Sequence, residues 1–110
     1  MTSIMEIEER IRKNPNIQNW NDISKIEYLS EDFIKDFQNN VNWYGISVFQ
    51  NLPENFIREF QDKIHFNLIC INQRLSKEFI IEFYDRLRFD YIISNKNISD
   101  EIKEFCRMFT

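Results

Sequence analysis

The sequence predicts an all-α fold: an α-solenoid of short two-helix repeats of 23 residues, about four units with an N-terminal capping helix. Three observations predict it. Residues 20–42 read W-N-D-I-S-K-I-E-Y-L-S-E-D-F-I-K-D-F-Q-N-N-V-N, and 43–65 and 66–88 restate that pattern without an insertion. Nine of 23 positions are identical between the first two copies. Each copy places its apolar residues at helical period, and a fixed period is the signature of a repeat architecture. The boundaries follow as one domain over 1–110. Residues 1–19 form the cap, 20–42, 43–65 and 66–88 the repeats, and 89–110 a degenerate last copy.

In the cap, Ile4, Ile7 and Ile11 share one helix face, with Glu6, Glu8, Glu9 and Arg10 around it. Pro15, between two asparagines, stops that helix. Each unit then opens on an aromatic followed by Ile at i+3: Trp20 with Ile23, Trp43 with Ile46, Phe66 with Ile69, Phe89 with Ile92. Asn19 and Asn42 precede the two tryptophans as N-caps, a slot that His65 and Arg88 fill less well. The second piece starts after Ser30, Ser76 or Ser99, or at Pro53, which a helix start tolerates. Its stripe is Leu29, Phe33, Ile34, Phe37 and Val41, restated as Leu52, Phe56, Ile57, Phe60 and Ile64. The third copy has Leu75, Phe79, Ile80, Phe83 and Leu87, and the fourth thins to Ile98, Ile102 and Cys106. A helix of roughly 11–12 residues is expected here, marginal alone, so each must bury its stripe on its neighbours. Glu31–Lys35, Glu54–Arg58, Glu59–Lys63 and Glu82–Arg86 are i, i+4 pairs expected on the exposed side.

Eleven Phe, two Trp and four Tyr supply a core even in 110 residues. A net charge of −4 has the wrong sign for a general phosphate-binding surface. No apolar stretch suits a signal peptide or a membrane span, and the two cysteines form no framework, so a cytoplasmic, reducing setting inside a host cell is expected.

At these residues the chain resembles a family of short tandem helical repeats, W-x-x-I-S-x-x-x-x-L-S-E-x-F-I-x-x-F-x-x-x-V, found in proteins of giant DNA viruses and of bacteriophages. The resemblance runs over Trp20–Leu87 and fades by Thr110. It implies an all-helical repeat protein of viral or phage origin, and it brings no catalytic residues. The chain departs from the pattern at Pro53, Cys70 and Ile81 and throughout its last copy.

No nucleophile–base pair, phosphate loop, dinucleotide fingerprint or metal spacing is present. Catalytic, cofactor-binding and metal residues are therefore expected to be none. Cys70 takes the slot of Ser24 and Ser47, Cys106 that of Phe37, and both read as small or apolar replacements; His65 reads as a surface or cap residue. Candidate partner-binding residues come in two sets. The acids Asp22, Glu27, Glu31, Asp32 and Asp36 outnumber Lys25 and Lys35 in the first unit and offer a field for a basic partner. Tyr44, Phe49, Ile71, Ile81 and Tyr84 are apolar or aromatic where other copies hold polar residues. The reading is a non-enzymatic protein-binding module without cofactor. With the resemblance, it is an inhibitor of a host defence protein, such as an anti-CRISPR-like nuclease blocker. The alternatives are a nucleic-acid-binding helical protein and an assembly protein acting as a homo-oligomer. A host protein is the expected partner, with nucleic acid disfavoured, no membrane, and a monomer or homodimer.

Overall fold

The computed structural model describes residues 3–109. Those residues are all-helical, with α1 (Ile4–Lys13), α2 (Trp20–Ile23), α3 (Glu31–Asp36), α4 (Trp43–Phe49), α5 (Glu54–Glu59), α6 (Phe66–Asn72), α7 (Lys77–Glu82), α8 (Phe89–Ile93) and α9 (Asp100–Arg107). The body is elongated, 50 × 30 × 19 Å. Helix α4 packs on α6 and α6 on α8, while α8 also packs on α9. Among the described residues, no helix is long and apolar enough to cross a membrane.

The caps fall where the side chains dictate. Asn19 and Asn42 accept backbone N–H groups at the starts of α2 and α4, whereas His65 and Arg88 make no side-chain cap. Ser30, Ser76 and Ser99 each accept from the N–H three residues on, and Pro53 opens α5 without a side-chain bond. One expectation is corrected. The second piece is no helix of 11–12 residues: α3, α5 and α7 span six residues each and stop before Phe37, Phe60 and Phe83. Asn39, Asn40, Asp62 and Asp85 follow, and such side chains compete with helical bonding. The stripe nonetheless closes inward, because Val41 still donates to the Phe37 carbonyl and Ile64 to that of Phe60.

The core is one aromatic arrangement made three times. Trp20 packs on Phe33 and Phe37, and Trp43 packs on Phe56 and Phe60. Phe66 packs on Phe83, which lies 4.5 Å from Phe79 between ring centres. Phe33, Phe56 and Phe79 are wholly or almost wholly buried. Each tryptophan also donates its indole N–H to a carbonyl five residues back, Trp20 to Pro15 and Trp43 to Gln38. Phe66 has no such donor. The corresponding carbonyl, that of Gln61, takes a bond from Arg86, whose guanidinium lies 4.0 Å over the Phe66 ring. A Cβ on Gly45 would stand 3.1 Å from the Ser24 Cβ, so α4 sits close against the end of α2.

Three of the ion pairs join one segment to the next, while Glu104–Arg107 lies within α9 and Arg88–Asp90 is local. Of the expected i, i+4 pairs, Glu54–Arg58 is present at 3.9 Å. Lys35 instead meets Glu59 at 3.2 Å, and Arg58 meets Glu82 at 2.9 Å, as Arg12 meets Asp36 at 2.8 Å. These three rungs occupy the same slots in successive copies. The opposite charge one unit away lies in better register than the one on the same short helix.

Candidate functional site

The links between the first and second pieces of each unit are held by buried amides. Gln50 Nε2 donates to the carbonyls of Ser24 (3.3 Å) and Ile26 (2.6 Å), and its Oε1 accepts the Leu29 N–H at 3.2 Å. Gln73, one unit on, donates to the Ser47 and Gln50 carbonyls and accepts from the Leu52 N–H. Asn95 donates to the Cys70 and Gln73 carbonyls from a slot one residue earlier. All three side chains are buried, and every buried side-chain N or O among the described residues has a partner. Glu27 stands in the Gln50 slot of the first unit and is exposed.

The serine slot is a second tie. Ser24 Oγ accepts the Asn42 N–H at 2.8 Å and Ser47 Oγ the His65 N–H at 3.2 Å. Cys70 Sγ takes the Arg88 N–H at 3.4 Å in the same way. Burial pushes the Cys70 thiol up to about 11 and raises Cys106 as well. Both cysteines are free and buried. Neither has the electropositive, exposed setting that makes a thiolate. Among the described residues, no group of three or more His, Cys, Asp or Glu is placed to hold a metal ion.

Over these clamped links runs an open groove of about 580 Å³. Gln50 and Gln73 form its floor. Its walls come from successive units: Glu27 and Tyr28, then Val48, Phe49 and Asn51, then Asn72 and Arg74, then Asn97. Tyr28 is 78% exposed and Phe49 is 45% exposed. Tyr28 has φ 70°, the only positive φ at a non-glycine residue among those described. Left-handed backbone is an outlier for a bulky side chain and marks stored strain. Gln50 holds that strain in place, since it grips the chain on both sides of Tyr28, at Ile26 and at Leu29.

The candidate partner residues do not converge on one place. Glu27 and Phe49 line the groove. Tyr44 stands edge-on to His65, 5.8 Å between ring centres, beside a shallower hollow. Tyr84 packs on Phe89 and Phe109. Ile81 and Ile71 are exposed. Of the acids, Asp22, Glu31 and Asp32 are exposed, while Asp36 is taken up by Arg12. Reading the sequence missed Tyr28, Arg74 and the two glutamines. The available signal was Gln in the same slot of the second and third units, replaced by Glu27 and Lys96 in the outer ones. Comparison with family models, with curated proteins and with solved structures gives no match.

Proposed function

We propose that this chain is a non-enzymatic protein-binding module, built as an α-solenoid of 23-residue units. The observation that carries the reading is the groove. Buried amides fix its floor from one unit to the next, and its rim exposes two aromatic rings beside unpaired polar groups. Stacked units present such extended surfaces, and binding energy concentrates in a few aromatic and arginine anchors. The resemblance to viral and phage repeats adds the setting: a small inhibitor that occupies a host protein, a defence nuclease included, inside the host cell. Net charge of −4 and the exposed acids Asp22, Glu31 and Asp32 weigh against a nucleic-acid partner.

Affinity purification from host lysate, followed by reconstitution with the purified partner, tests the reading. A stoichiometric complex that forms without nucleic acid is expected. A mobility shift with DNA or RNA that weakens steeply with salt, and no protein complex, would replace it with the nucleic-acid reading.

A further inference from the structure

We infer that the groove takes an extended peptide segment of its protein partner. Tyr28 and Phe49 grip one apolar side chain, while Glu27 and Arg74 hold a basic and an acidic residue of the same segment. The inference rests on the protein-binding reading above and names what is bound.

The polar groups left over decide the ligand's chemistry. The amides of Gln50 and Gln73 are spent inward on carbonyls and N–H groups of the links. The wall asparagines are not. Asn51 is exposed with no hydrogen bond of its own among the described residues. Asn72 and Asn97 each donate one N–H, to the Leu68 and Asn72 carbonyls, and keep their Oδ1 atoms open. An amide offers a donor and an acceptor together, the pairing that a peptide backbone repeats along its length. A nucleic acid would present phosphates to the Glu27 carboxylate, which repels them. The volume falls within the roughly 300–1,000 Å³ of clefts that enclose ligands.

Charge then sets the pattern. Glu27 and Arg74 form no ion pair among the described residues, and both are exposed on one groove. They belong to the first and third units. With packed helices about 8–10 Å apart, two steps span roughly 16–20 Å. An extended chain advances about 3.3 Å per residue, so the base and the acid it presents lie about five or six residues apart.

Tyr28 supplies the second argument. Asn adopts its left-handed backbone more readily than Tyr, and Gly more readily still. The Tyr28 side chain is 78% exposed and makes no ring contact or side-chain hydrogen bond among the described residues, so nothing of that kind offsets the cost of its backbone. Strain of this kind clusters where a side chain is presented to a ligand.

Selection from a random library of short unstructured peptides tests this, with affinities of enriched synthetic peptides read by fluorescence anisotropy. Enriched peptides are expected to share an aromatic or large aliphatic anchor, with a base and an acid about five or six residues apart. Tyr28→Asn should weaken binding about tenfold or more while raising the melting temperature, which shows the variant to be folded. Arg74→Glu, at an exposed position, should weaken it similarly and select basic residues where the wild type selects acidic ones. No enrichment, or enriched peptides that bind both variants as tightly as wild type, overturns the groove assignment. A captured protein partner that binds both variants unchanged overturns the groove while leaving the module reading standing. Absence of any protein partner overturns both.

Discussion

Glu54 grips Ser76 with both carboxylate oxygens, accepting its backbone N–H at 2.6 Å and its hydroxyl at 2.9 Å. Glu8 holds Ser30 in the same way, at 2.7 and 2.9 Å. Between them the pattern breaks. Glu31 fills the same slot, but the residue it would hold is Pro53, which has neither N–H nor hydroxyl, and Glu31 is exposed. Glu54→Ala should cost about 1.5–2 kcal/mol, the lower part of the range for bonds to a charged group, because Glu54 is partly exposed. Glu31→Ala should cost almost nothing. Pro53→Ser should then give Glu31 a partner, and Glu31→Ala made in that background should cost measurably more. Urea denaturation of the four variants checks the set; equal costs at Glu31 in both backgrounds would contradict it.

Trp43 and Phe66 solve one problem in two ways. The Trp43 indole bonds the Gln38 carbonyl at 2.9 Å, while the Gln61 carbonyl is bonded by Arg86. Trp43→Phe should cost about 1–2 kcal/mol in lost bonding and buried area. Lys63 stands one unit before Arg86. Adding Lys63→Arg should return at least about 0.5 kcal/mol, by setting a guanidinium over the new ring as Arg86 sits over Phe66. Thermal unfolding of the single and double variants measures the return. A Lys63→Arg effect of the same size in wild type would show that no such exchange exists.

Cys70 gives the protein an alkaline limit. Its thiol rises from 9.0 to about 11 on burial, so the folded chain keeps a proton that the unfolded chain loses first. The contribution is intact below pH 9 and disappears as pH climbs toward 11. Cys70→Ser should remove this part of the alkaline loss, since Ser24 and Ser47 already accept the equivalent N–H groups. Stability near neutral pH should change by less than about 1.5 kcal/mol. Equilibrium denaturation across pH 8–11 compares the two, and parallel curves would refute the assignment. Thiol reagents at neutral pH should label the native protein only through unfolding.

Much of the fold was legible because a stripe repeated in register leaves little freedom: Phe33, Phe56 and Phe79 could only be core once they recurred. Helix length was not legible, since the stripe continues through the turns after Phe37, Phe60 and Phe83 while the helical bonding does not. The acids were harder. Glu8 looks like a surface residue and is 8% exposed, because its partner Ser30 lies 22 residues on. The groove was legible only at Glu27 and Phe49. Tyr28 and Arg74 share one slot, whose other members are Asn51 and Asn97, so the repeat pattern does not single them out, and the strain at Tyr28 is a backbone property that composition does not carry.

Ile81 and Phe105 stand where the ladder of Arg12–Asp36, Lys35–Glu59 and Arg58–Glu82 would place its next rung. Both members of that pair have become apolar together. Ile81→Lys should cost under about 1 kcal/mol, because the side chain is largely exposed. Ile81→Arg with Phe105→Glu should show a favourable coupling of about 0.2–1 kcal/mol in a double-mutant cycle, the size of an exposed ion pair. A coupling of zero would mean that the slots have drifted apart in this unit.

Gln73, like Gln50, makes three side-chain hydrogen bonds from a buried position. Its removal leaves the Ser47 and Gln50 carbonyls and the Leu52 N–H without partners at once. Gln73→Ala should therefore cost about 3 kcal/mol or more, each orphaned group adding roughly 1 kcal/mol or more. Gln73→Glu separates charge from shape. A carboxylate there would face two carbonyl oxygens in a buried site, so the folded state favours the protonated acid and raises its pKa above the unfolded value. The variant's stability relative to wild type should then be best below about pH 4, where the free acid is protonated, and should fall as pH rises toward neutrality. Glu27, in the same slot of the first unit, fits this rule because it is exposed to water. Denaturation of Gln73→Glu against wild type between pH 4 and 7 measures the trend. A constant difference would place Gln73 in contact with water and take from the groove the rigid floor on which Tyr28 and Arg74 depend.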